Sequence, residues 1–137
     1  MNKNNVLEYL NSIEEVVNDI NLKIWSNPEV SGNEEYSANL YRSALEENGF
    51  KIVNTPNMEH AFYGEFGSGY PVIAVLGEFD ALPGLSQNVD VKFNPTTKNG
   101  PGHACGHNLL GAAPFGAALA IKKYLEESKL SGTIRYY

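Results

Sequence analysis

"PVIAVLGEFDALPG", residues 71–84, decides how this chain reads, because an unbroken apolar run passes directly into two carboxylates and a turn. Val72 to Leu76 is apolar at every position, which predicts a strand covered on both faces at the centre of an α/β sheet. Ligands of such sheets bind beyond the carboxyl ends of the strands, so the residues after Leu76 are where chemistry is expected. Glu78 and Asp80 stand two apart and share one face if extended geometry persists, and Pro83 with Gly84 then turns the chain away.

Upstream, Val6, Leu10, Ile13, Val17, Ile20 and Ile24 recur at steps of four and three, which predicts one amphipathic helix facing the core and stopped by "SNPE" at 26–29. A second helix is predicted from after Ser31, Gly32 and Asn33 to Asn48, with Gly49 as its stop. From "FKIV" at 50–53 the period shifts toward two. "AFYGEF", "GSGY" and "PVIAVLG" read as strand, turn and strand, a hairpin. Downstream, residues 109–127 predict an apolar helix and "GTIRYY" a strand. Pro114 sits either in that helix's first turn or at a kink. The strand at 72–76, this helix and the strand at 133–137 form a crossover unit. The fold class expected is α/β, a three-layer mixed sheet with helices on both faces.

Composition narrows the function classes. At 137 residues, 42% apolar and 19% charged, the chain has the balance of one globular domain or part of one. Ten Lys plus Arg against sixteen Asp plus Glu give a net charge of −6 with no basic run, which argues against nucleic acid as a partner. The start "MNKNNVLEYL" lacks the pattern of a secretory signal, and no apolar segment reaches a membrane span of ~20 residues. No membrane association and a cytoplasmic location are therefore expected.

The chain's one cysteine and two of its three histidines fall within "HACGH", residues 103–107. The loop that ends there opens the apolar helix, so topology brings it to the same rim as Glu78 and Asp80. Cys105 and His107, two apart, can reach one ion only from a turned backbone, which Gly106 permits. Sulfur with imidazole favours zinc, and added carboxylates widen the choice to manganese or a two-metal site. Two other readings stand beside this one. Cys105 could be a nucleophile served by His103 or His107, or simply a buried thiol beside a backbone-bonded histidine. His60, at the start of the hairpin, reads as an ordinary surface or turn histidine.

"NPEVSGNEEYSA", "GEFDALPGLSQ" and "GPGHACGHNLLGAA", in that order, resemble the zinc aminoacylase and carboxypeptidase-type family of metallopeptidases and amidohydrolases. The resemblance is greatest to the branch that contains the B subunit of aminobenzoyl-glutamate hydrolase. It implies a hydrolase of amide or dipeptide substrates, cutting next to a free carboxylate at a centre of two divalent ions, zinc or manganese. It further implies an α/β catalytic domain and an inserted lid domain that makes the complete enzyme a homodimer. By resemblance Cys105 and His107 are metal ligands, and Asp80 orients a ligand imidazole without touching the metal. Glu78 stands where other branches carry a ligand histidine, so the resemblance assigns it no role, as it assigns none to His103. Asn108 stands where many relatives have aspartate. In the family a pair of glutamates, one of them the general base, follows a strand like "GTIRYY", and two more histidine ligands come later. Residues 1–137 are accordingly expected to be the N-terminal part of the catalytic domain, without lid domain or base. Alone they are expected to be inactive, and the rival reading is a non-catalytic metal- or partner-binding fragment.

Overall fold

The computed structural model describes residues 2–137. Four helices, α1 (Lys3–Ser12), α2 (Glu14–Ser26), α3 (Glu35–Glu47) and α4 (His107–Ser128), accompany four strands, β1 (Lys51–Asn54), β2 (Phe62–Ser68), β3 (Val72–Val75) and β4 (Gly132–Tyr136). The sheet order is β1-β2-β4-β3, with β3 parallel to β4 and the other pairs antiparallel. The mixed α/β sheet and the β3–α4–β4 crossover agree with expectation.

The first helix differs from the sequence reading by a break. Ile13 leaves helical geometry, closing α1 through its N–H and opening α2. The apolar stripe survives the break, because Tyr9, Ile13 and Val17 all pack on the cluster that buries Ile20 and Ile24. α3 ends as predicted. Gly49 takes φ 79°, its N–H bonds to the Glu46 carbonyl, and the N–H of Phe50 bonds to that of Leu45. These are the two bonds of a Schellman stop.

Two expectations are corrected. The hairpin is β1 with β2, not β2 with β3, because β4 lies between the latter two. The carbonyls of the "GSGYP" connection are bonded to the strand that enters. Ser68 accepts from the Ser131 hydroxyl, Gly69 from the Thr133 hydroxyl and Pro71 from the Thr133 N–H. A side chain at Gly67 would collide with the Gly132 carbonyl, so β4 can approach only because that position is bare. As a result β4 is central, and β3 lies at the edge with Val72 43% and Ile73 46% exposed. Of the two placements left open for Pro114, the structure takes the one inside the helix, because α4 begins at His107.

The described helices gather on one face of the sheet. Ile134 and Tyr136 of β4 meet Tyr41 and Leu45 of α3, Phe115 and Leu119 of α4, and Ile24 of α2 in one buried cluster. The other face carries Tyr63, Glu65, Arg135 and Tyr137.

Candidate metal centre

Past Val75 the chain stays tied to β4, with the Gly77 N–H donating to the Tyr137 carbonyl at 2.7 Å. Phe79 then turns into the core and stacks on Tyr41 at 5.6 Å, so its neighbours Glu78 and Asp80 point away from it together. Two loop segments pin this stretch through isolated bridges. Ala81 N–H donates to the Glu29 carbonyl at 2.7 Å, and Leu82 exchanges both backbone bonds with Gly102 at 3.0 Å each.

Glu29 is a residue that the sequence reading missed. Its carboxylate accepts from the Tyr36 and Ser37 N–H groups and the Ser37 hydroxyl, capping α3, while its carbonyl holds the strand end carrying Asp80. An acid six residues ahead of a helix is no recognised cap pattern, since ordinary caps act from within one turn. Only the fold-back at Ser31–Asn33 makes it one.

The third component arrives from the other direction. A turn runs from the His103 carbonyl to the Gly106 N–H at 3.1 Å; Gly106 adopts φ 76°, and α4 begins at His107. One turn later Gly111 lets α4 lie against the Glu78 backbone, since a Cβ there would stand 3.0 Å from the Glu78 carbonyl and 2.5 Å from the Tyr41 hydroxyl.

These placements bring Glu78, Asp80 and His107 together, with ligand atoms all within 4.8 Å of one another. His107 Nδ1 lies 2.8 Å from Asp80 Oδ1 and Nε2 lies 3.0 Å from Glu78 Oε2. A neutral imidazole donating from Nδ1 to Asp80 turns a lone pair toward the Glu78 carboxylate. Two such acceptors at that distance need a cation, either a proton on Nε2 or a metal ion. Donors about 2.0–2.1 Å from a tetrahedral zinc sit roughly 3.3 Å apart, close to the separation seen, so the residues fit a metal. The Asp80 bond is the kind that sets the tautomer and orientation of a metal-ligating histidine. Cys105 is exposed on the turn and is not among the three clustered donors. His103 points the other way, its Nε2 3.2 Å from the Ile24 carbonyl and its Nδ1 buried without a partner; burial holds its pKa below the ordinary value. Glu78 and Asp80 also border a cleft of about 530 Å³ whose wall includes His60, Phe62, Phe79 and Tyr137, so His60 lies near the site.

No family model matches the chain. It is 50% identical over 122 residues to the B subunit of p-aminobenzoyl-glutamate hydrolase from Escherichia coli, covering 87% of this chain and 25% of that protein. Thermostable carboxypeptidase 2 of Saccharolobus solfataricus is 32% identical over 135 residues, 97% of this chain and 32% of that protein. Among solved structures, a dinuclear metal-binding peptidase of the M20 family from Bacillus subtilis superposes with a TM-score of 0.76 at 26% identity, covering 92% of this chain and 35% of that one. The chain thus spans about a quarter to a third of the length of these relatives. Its homologues are M20-type hydrolases and peptidases.

Proposed function

Starting from that kinship, we propose that the chain is part of a metal-dependent amidohydrolase or peptidase that cuts an amide bond beside a free carboxylate. Cys105 and His107 are the metal ligands in this reading, and Asp80 orients the His107 imidazole. The observation that carries it is the His107 ring held at Nδ1 by Asp80 and turned at Nε2 toward Glu78. A bound divalent ion, zinc or manganese and two in the complete enzyme, supplies Lewis acidity toward a water and the amide carbonyl. Asp80 keeps the ring's Nδ1 proton in place, and Glu78 lends negative charge on the metal side. Cys105 stands exposed on the adjoining turn, outside the three clustered donors, and would join the donor set by a movement of that turn.

The substrate class follows the 50% identical relative, whose name describes hydrolysis of p-aminobenzoyl-glutamate. An aromatic acyl group suits a cleft walled by Phe62, Phe79 and Tyr137. We place the complete enzyme in the cytoplasm as a homodimer. We further propose that these 137 residues alone bind metal without turning substrate over.

Zinc or manganese titration of the purified chain tests the reading. Binding that is lost in both His107→Ala and Cys105→Ala supports it, and unaltered binding in both sinks it. Hydrolysis of p-aminobenzoyl-glutamate by the wild-type chain, abolished by Cys105→Ala, would overturn the claim of inactivity. A second reading, a non-catalytic partner-binding fragment, draws on the exposure of Val89, Val91 and Phe93 in the loop before the site. It wins if the chain binds no metal but captures a partner through that loop.

A further inference from the structure

Two side chains flanking the Cys105–His107 segment bond to α2 and neither belongs to the Glu78, Asp80 and His107 cluster. His103, two residues before Cys105, has Nε2 3.2 Å from the Ile24 carbonyl. Asn108, one residue after His107, donates from Nδ2 to Asn21 Oδ1 at 2.7 Å. Asn21 and Ile24 are three apart, so both bonds reach α2 within one turn. α2 is a firm anchor, since Ile20 and Ile24 are buried in the same cluster as Phe115 and Ala118 of α4. Ile24 lies in the last turn of α2, and its carbonyl, which accepts from the Asn27 N–H at the cap, has a second lone pair for His103.

Neither side chain is free to do anything else. Asn108 is 6% exposed, and a buried amide left unpaired is unfavourable, so the bond to Asn21 is enforced. His103 Nδ1 is enclosed without a partner, which places the ring proton on Nε2 facing Ile24. Between the two tethers lies the turn closed by Gly106.

We propose that His103 and Asn108 are positioning residues that clamp this turn to α2, fixing the backbone from which His107 faces Glu78 and from which the exposed Cys105 thiol reaches toward a shared metal. The proposal rests on the metal reading above. It assigns the identity of residue 108 a purpose. Asparagine there matches the acceptor oxygen of Asn21, and an aspartate would be satisfied only after the Asn21 amide turned over to donate.

Calorimetric zinc titration of the purified chain tests the clamp, with cobalt titration in parallel to read the thiolate-to-metal absorption band of Cys105. His103→Ala and Asn108→Ala are each expected to weaken zinc about 10–100-fold, the usual effect of removing a group that supports a ligand, and to diminish the cobalt band. His103→Gln and Asn108→Asp, which keep a hydrogen bond to α2, are expected to restore affinity to within about threefold of wild type, a recovery that general loss of stability would not produce. Wild-type affinity in both alanine variants overturns the clamp, as does failure of both conservative variants to recover. If His107→Ala abolishes binding while Asn108→Ala leaves it intact, the clamp alone is wrong. If wild type and His107→Ala bind equally, or neither binds, the metal reading fails and the clamp falls with it.

Discussion

The two faces of the sheet are held by different kinds of contact. On one, Ile134, Tyr136, Phe62 and Gly64 are closed over by α3 and α4, with Leu45 packed directly on the bare Gly64. On the other, Arg135 bonds to Glu65 at 2.7 Å, its guanidinium lies 4.9 Å from the Tyr63 ring, and Tyr63 packs tilted against Tyr137 with ring centroids 4.9 Å apart. The first face is dry and aromatic; the second is a polar and aromatic surface open to water. Stability should therefore depend on the first face and hardly on the second, while Glu78 and Asp80 sit at the rim where both end.

The largest expected effect is Phe115→Ala. Its ring is fully buried against Tyr41 and Tyr136, so urea unfolding should show a loss of about 3–5 kcal/mol. A loss under about 1 kcal/mol would erase the contrast between the faces. Next is Gly111→Ala, which drives a methyl into the Tyr41 hydroxyl and the Glu78 carbonyl. About 1–3 kcal/mol should be lost, with metal affinity falling as His107 moves from Glu78.

Alkaline pH probes the covered face without mutation. Burial pushes the hydroxyls of Tyr41 and Tyr136 well above the ordinary tyrosine value. Both stay protonated in the folded chain while their unfolded counterparts ionise near pH ~10, so the unfolded state holds fewer protons and stability falls as pH rises. Each tyrosine should contribute about 1.4 kcal/mol of loss per pH unit above that point, until its own folded pKa is reached. A Tyr41→Phe variant should flatten the decline by one tyrosine's share. The smallest effect belongs to the open face. Glu65→Gln should cost less than about 1 kcal/mol, since the pair it breaks is about one-third exposed. A larger loss would mean that this face contributes more than its contacts suggest.

Much of this was legible in the sequence for physical reasons, and the failures also have reasons. Helical stripes carry a period that survives a break such as the one at Ile13, so α1 and α2 read as one. Strand pairing carries no comparable local signal. β2 and β3 are three residues apart and look like a hairpin, but their partner β4 enters some sixty residues later through bonds to Ser68, Gly69 and Pro71. For the same reason the apolar run of β3 suggested a centre where the sheet has an edge. The site was more readable, because the rule that chemistry gathers at strand carboxyl ends needs only the order of elements. It brought Asp80 and His107 to one rim. It could not supply the meeting of Glu78 with Nε2, which depends on how closely α4 approaches, or the cap from Glu29, which depends on a fold-back.

The two glycines that close the site are constrained by unlike things, and a saturation library would separate them. Gly106 has open space around its missing side chain and is held only by its left-handed backbone, so asparagine or aspartate should survive there and β-branched residues should not. Gly111 lies in ordinary helix and is held only by crowding, so there even alanine should be rare and backbone preference irrelevant. One position would tolerate bulk of the right conformational habit, the other no bulk at all. The pattern of survivors would report, with no metal or substrate added, whether the helix, the strand end and the turn meet as described.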